Sequence, residues 1–328
     1  MKAIIPVAGM GTRLRPHTHT LPKVLLNVAG KPILGHILDT VVDAGISQVL
    51  LVVGHLGDMI QDWVRSHYDL DLKFVEQKEP LGLGHAVGLG LDREDNGVLI
   101  ILGDTILELD MVDFLGSSCS CLGVKAVKNP RRFGVVEEEK GLVVRLVEKP
   151  EHPPSNLAIA GIYYLKSGGD LWKCVQEMMA EGRKTGGEYQ LTDALQLMVD
   201  RGEKLKAYPI DGWYDCGKPE TLLATNRHLL DKRGNRKGKA HLYGKNALVI
   251  PPVSIGDGVK IEHSLVGPYV TLADGASVGN SIVTDSIIGE KAVVERSLLA
   301  GSLIADNALV RGAFRKLNVG NSSAVDFE

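Results

Sequence analysis

The stretch IPVAGMGTRLRPHTHTLPKVLL, residues 5–26, joins the end of an apolar run to a turn holding two glycines and an arginine, with a Pro-Lys pair ten residues beyond that arginine. Gly9 and Gly11 permit backbone conformations closed to other residues and let main-chain N–H groups approach an anion. Arg13 offers a planar fork for phosphate oxygens, and Lys23 a point charge. The turn lacks the third glycine of the dinucleotide fingerprint and the G-K-[ST] ending of a P-loop, so neither standard phosphate motif accounts for it.

Working outward, apolar strand-like runs alternate with helical patterns up to about residue 230. Strands are expected near 3–7, 49–53, 73–75 and 98–102, and helices near 33–44 and 59–66. That alternation predicts a Rossmann-like, mostly parallel sheet flanked by helices on both faces, with functional loops at the carboxyl ends of the strands. A polar, basic stretch, DKRGNRKGKA (231–240), reads as a solvated linker.

From residue 247 helical periodicity vanishes. SIIGEKAVVER at Ser286 aligns with SLIADNALVRG at Ser302, and Ile255 to Ile261 and Leu272 to Val278 are each six residues apart. One apolar residue turned inward per flat face, three faces to a coil, resembles the hexapeptide repeat of a short left-handed parallel β-helix of about four coils. A β-sandwich is the alternative. The expected domains are 1–230, a linker over 231–246, and a β-helix over 247–328.

The 328-residue chain is 44% hydrophobic and 23% charged, with a net charge of −3. That balance argues against nucleic acid or an anionic membrane as the partner. The longest apolar runs are strand-length, and the first residues show no leader-like region. Cys119, Cys121, Cys174 and Cys216 have no metal or redox spacing, which fits a reducing cytoplasm.

With these residues in view, GMGTRLRPHT…PKVLLNVAGKP resembles the G-x-G-T-R-[LM]-x-P-x-T…P-K signature of the sugar-nucleotide pyrophosphorylases, or sugar-1-phosphate nucleotidylyltransferases. Further segments follow in the family's order across residues 1–230. The resemblance implies that Ala8, Gly9, Gly11 and Thr12 hold the nucleotide. EQKEPLGLGHAV (76–87) resembles the base-reading segment and assigns Gln77 and Gly82 to a pyrimidine edge, where an amide both donates and accepts. VLIILGDTIL (98–107) supplies the metal aspartate Asp104, and GWYDCGKPE (212–220) the second, Asp215, with Mg2+ as the expected ion. RRFGVVEEEKGLVVRLVEKP (131–150), AIAGIYYL (158–165) and GEYQLTDAL (187–195) place Gly134, Glu148, Gly161 and Glu188 at the sugar and Lys149 at its phosphate. Thr192 reads as a helix cap, and Cys216 as filler.

The implied activity joins a pyrimidine nucleoside triphosphate (dTTP or UTP) to a sugar 1-phosphate, glucose 1-phosphate foremost, and releases pyrophosphate. Arg13, Lys23, Asp104, Lys149 and Asp215 form the catalytic set. The alternatives are GTP with mannose 1-phosphate, an added acyltransferase activity in the β-helix, and a non-catalytic sugar-nucleotide sensor. The β-helix is expected to mediate homo-oligomerisation through its exposed apolar faces.

Overall fold

A computed structural model describes residues 1–233, 240–243 and 246–312. Within the expected linker, 234–239 and 244–245 lie outside the described residues, as does the end of the expected β-helix, 313–328. The chain forms two units: Met1–Leu26 with Lys31–Thr225, and Asn27–Gly30 with the residues from Asn226 onward.

The first unit is built on a nine-stranded sheet. Its order is Asp71–Glu76, Gln48–Val53, Lys2–Pro6, Val98–Ile101, Leu157–Leu165, Ser120–Ala126, Leu205–Pro209, Leu142–Glu148, Gly134–Glu139. Five consecutive residues of Gln48–Val53 are buried, as a strand covered on both faces requires. The helix Ile33–Asp43 buries Ile33, Leu34, Ile37, Leu38 and Val41, the one-sided spacing of an amphipathic helix.

The first four strands are parallel, as the alternating pattern predicts. Beyond them the sheet is mixed. Leu157–Leu165 runs antiparallel to both its neighbours, and Leu205–Pro209 is parallel to Ser120–Ala126. The edge is a hairpin whose two turn residues, Lys140 (φ 53°) and Gly141 (φ 80°), both lie in the left-handed region. Such a turn matches the twist of the strands it joins. One core, including Ile4, Val52, Val87, Ile100 and Leu122, runs through the sheet and its helices.

In the second unit three parallel sheets carry four strands each, consistent with a β-helix, and Ala247–Val249 also pairs antiparallel with His241–Tyr243. Lys260 pairs with Ser277 and Ser277 with Val293, so successive coils are 17 and then 16 residues apart. Val266, Leu272 and Val278, six apart, are buried inside one coil. At one corner the Ser264 hydroxyl accepts from the amide of Ser281, the Ser281 hydroxyl from Ser297, and the Ser297 hydroxyl from Gly312. Buried main-chain donors are thereby satisfied coil by coil. Asn226, fully buried, accepts from the Ala29 amide at 2.8 Å and the Thr271 hydroxyl at 2.7 Å, and donates to the Tyr269 carbonyl at 3.2 Å.

Candidate functional site

At the carboxyl ends of the parallel strands two cavities, of about 660 and 390 Å³, share Arg13, Leu83, Leu102, Asp104 and Glu188. The smaller is lined by the segment from Pro6 to Arg13, by Lys23, and by Gln77, Pro80 and Gly82. Gly11 has φ 61°, and a Cβ there would lie 2.9 Å from the Cβ of Lys23 and 3.0 Å from Cγ2 of Thr18. Only glycine allows the turn to lie this close to Lys23. The Thr18 hydroxyl donates to the Gly11 carbonyl at 2.8 Å and pins the turn. Gly9 faces open space, with nothing within 4 Å of the position a Cβ would take.

Lys23, buried, donates to Asp104 Oδ2 at 2.6 Å. Burial raises the pKa of the Asp104 carboxyl, but the Lys23 ammonium, the Thr105 hydroxyl and the charge of Arg13 outweigh it and hold Asp104 below the usual carboxylate range. Asp215 arrives on the strand Gly212–Asp215, paired with Thr105–Glu108 so that it stands opposite Thr105, and the Cys216 amide donates to the Asp104 carbonyl at 3.0 Å. This ladder, with Asp104 just before the strand Thr105–Glu108, brings together the backbones of two aspartates 111 positions apart in sequence. Gly217 leaves room between them and the arginine: a Cβ on it would lie 2.7 Å from Asp215 Oδ1 and 2.8 Å from Arg13 Nη2. The Cys216 thiol is fully buried and its pKa is pushed up to about 12, chiefly by desolvation, which leaves it unreactive.

The larger cavity is lined by Gly134, Glu148, Lys149, Gly161, Glu188 and Asp215 among the residues expected there. Glu148 Oε1 lies 3.1 Å from Lys149 Nζ. Its Oε2 accepts from the Thr192 hydroxyl at 2.6 Å. Gly134 presents bare backbone, since a Cβ would lie 2.9 Å from Thr192 Oγ1 and 3.0 Å from Glu148 Oε2. Gly161, φ 84°, sits in the register shift of Leu157–Leu165 against Ser120–Ala126. Lys149 holds φ 40° without being a glycine, a strained conformation of the kind retained at functional sites.

Thr192 is not a cap. Gln190 begins the helix Leu191–Asp200 without a side-chain cap bond, and Thr192 spends its hydroxyl on Glu148. The buried Gln190 likewise donates to Glu188 Oε2 at 3.2 Å. Sequence reasoning also passed over Arg131, Arg132 and Trp213, all of which line the larger cavity. A doubled arginine just before Gly134 was the available signal for the first two. Trp213 packs against Phe133 with ring centroids 4.7 Å apart, a pairing that no local pattern announces.

The family model described as "Nucleotidyl transferase" matches residues 2–232. Low-salt glycan biosynthesis nucleotidyltransferase Agl11 of Haloferax volcanii is 32% identical, over all of this chain and 95% of its own. A glucose-1-phosphate thymidylyltransferase of Streptomyces antibioticus is 31% identical over the whole of both chains. A solved UDP-glucose pyrophosphorylase complexed with UDP-glucose superposes with a TM-score of 0.61 at 27% identity, over 71% of this chain and 99% of its own. A cleft with Arg13 and Lys23 at one end and a paired Glu148-Lys149 at the other, together with these matches, places the chain in the nucleotidyl transferase family, as an enzyme of nucleotidyl transfer.

Proposed function

We propose that this enzyme transfers the nucleotidyl group of a pyrimidine nucleoside triphosphate, UTP or dTTP, to glucose 1-phosphate, giving the nucleoside-diphosphate sugar and pyrophosphate. The observation that carries the reading is the pair of adjoining cavities sharing Arg13 and Asp104. One is lined by the glycine turn, Lys23 and Gln77, the other by Glu148, Lys149 and Glu188. The relatives named for glucose 1-phosphate and the neighbour holding UDP-glucose support glucose as the sugar.

The sugar phosphate is itself the nucleophile and is anionic at neutral pH, so the reaction needs no nucleophile–base pair in the protein. The chain's task is to align that oxygen with the α-phosphorus and neutralise the developing charge. Arg13 and Lys23 serve the β,γ-phosphates that leave as pyrophosphate. Lys149 steers the acceptor phosphate, Glu148 and Glu188 accept from sugar hydroxyls, and the bare backbone of Gly134 and Gly161 lets the ring come close. Asp104 and Asp215 offer two carboxylates from one end of the two-stranded ladder, a donor set that suits Mg2+, which binds through one or two carboxylates plus substrate phosphates. Bound there, it supplies positive charge at the phosphate oxygens.

We further propose that the protein associates with copies of itself through the β-helix. Leu242, Leu248, Leu265, Ile282 and Leu298 stand in register across all five strands of one sheet. Leu242, Ile282 and Leu298 are 72%, 45% and 80% exposed. A continuous apolar ladder of this size marks an interaction surface, and a flat ladder is complementary to itself across a two-fold axis.

Substrate choice is tested by pyrophosphate release from purified protein with Mg2+, over UTP, dTTP, CTP, GTP and ATP crossed with several sugar 1-phosphates. Turnover with UTP or dTTP and glucose 1-phosphate well above every other pair is the expected result. Preference for GTP with mannose 1-phosphate, or no release in any well, contradicts the reading.

A further inference from the structure

Gln77 lines the smaller cavity, and the groups behind it decide which end of its amide faces inward. Its Nε2 donates to the Gly82 carbonyl at 3.2 Å and lies 3.0 Å from His85 Nδ1. A carbonyl only accepts, so the Gly82 contact identifies that end of the amide as nitrogen. The second amide hydrogen then points to His85 Nδ1, which can accept it only when that ring nitrogen carries no proton. Burial lowers the pKa of His85, against an opposing pull from the Glu79 charge, which keeps the ring neutral at neutral pH with its proton on Nε2.

The scaffold behind this arrangement is rigid. Gly82 has φ 118°, and a Cβ there would lie 2.5 Å from the Tyr189 carbonyl; one on Gly84 would lie 2.9 Å from the carbonyls of Tyr189 and Gln190. The Tyr189 amide donates to the Leu81 carbonyl and the Gly84 amide to the Tyr189 carbonyl, each at 2.8 Å. His85, in the first turn of the helix Leu83–Gly90, is held by that seam. It is not among the residues lining the cavity and stands behind Gln77. Among the described residues, no hydrogen-bond donor reaches Gln77 Oε1.

We propose that His85 is a positioning residue that determines base specificity: together with the Gly82 carbonyl it holds the Gln77 amide nitrogen away from the cavity, so that only Oε1 faces the base. This rests on Gln77 being the base contact. An acceptor alone selects a base edge that carries an imino N–H. Uracil and thymine offer N3–H, whereas cytosine has a bare N3 acceptor that would meet Oε1 lone pair to lone pair.

The test compares His85→Leu and His85→Asn with the parent enzyme, using UTP and CTP at saturating glucose 1-phosphate. His85→Leu removes one of the two acceptors that hold the amide nitrogen and leaves only the Gly82 carbonyl. KM for UTP is then expected to rise about tenfold with kcat changed less than about twofold, and the UTP-over-CTP preference in kcat/KM to fall about tenfold, the effect of one hydrogen bond. Asn carries Oδ1 close to where Nδ1 stood, so His85→Asn stays within about threefold of the parent on both measures. An unchanged preference in a His85→Leu protein with parental Tm overturns the proposal. So does an Asn variant that behaves like Leu. Gln77→Leu separates the two readings: a preference that survives it refutes Gln77 as the base contact and this proposal together. A preference lost in Gln77→Leu but intact in His85→Leu refutes the role of His85 alone.

Discussion

Replacing Thr192 with valine removes one hydroxyl and keeps the branched shape. The hydroxyl donates to Glu148 Oε2 at 2.6 Å; Thr192 is 5% exposed and the Glu148 side chain 11%. A hydrogen bond to a charged group in such surroundings contributes about 1.5–3 kcal/mol. If Glu148 accepts from the sugar, that loss becomes a fall of about 10–150-fold in kcat/KM for the sugar 1-phosphate. KM for the triphosphate stays within about twofold, because Thr192 does not line the smaller cavity. Thr192→Ser keeps the donor and recovers most of the activity. A double-mutant cycle with Glu148→Gln adds the sharper criterion: the two effects must be strongly non-additive if Thr192 acts through Glu148. Additive losses, or a valine variant with parental kcat/KM for the sugar, would show that Thr192 does not act through Glu148.

Four other outcomes follow from the same geometry. Arg13→Ala should lower kcat by roughly two orders of magnitude or more, the loss of a transition-state contact, with stopped-flow pyrophosphate detection as the measurement; an unchanged kcat removes Arg13 from the catalytic set. Asn226→Leu strands the Ala29 amide, the Thr271 hydroxyl and the Tyr269 carbonyl, and urea titration should show a stability loss of about 3 kcal/mol or more. In thiol titration at pH 8 the native protein should expose no more than one reactive cysteine, the half-buried Cys119. The other three are buried, the Cys121 and Cys216 thiols pushed up to about 12 mainly by burial, and all four should react after unfolding. Leu298→Asp combined with Ile282→Asp should lower the mass found by light scattering to that of a monomer, while an unchanged mass places the interface elsewhere.

The first four strands and the helix Ile33–Asp43 were legible because each carries its signal locally, in apolar runs or one-sided periodicity. The turn at Gly9 and Gly11 was legible for the same reason, and so were Gly103-Asp104 at a strand end and the six-residue rhythm after residue 247. The mixed half of the sheet was not. Strand direction there is set by which edge is free to pair, and the run at 157–165 reads the same whether its neighbour runs parallel or antiparallel. Within the candidate site, every site residue singled out from the sequence lines one of the two cavities, while Arg131, Arg132, Trp213 and the supporting side chains were passed over. Thr192 meets Glu148 from 44 residues away, and Asn226 meets Ala29 from 197. Threonine near a helix start reads as a cap until the fold offers it a carboxylate. Ile282 and Leu298 face solvent and Leu265 is half-buried, and their alignment appears only once coils of 16 and 17 residues are stacked.

Nucleotidyl transfer between substrates held in adjoining cavities can be followed by isotope partition. UTP labelled at the α-phosphorus and, in parallel, at the γ-phosphorus is incubated with glucose 1-phosphate, Mg2+ and enzyme. The α label should appear wholly in the nucleoside-diphosphate sugar and the γ label wholly in pyrophosphate, each only when both substrates are present. Transfer of the γ label to the sugar, or release of either label without glucose 1-phosphate, contradicts nucleotidyl transfer.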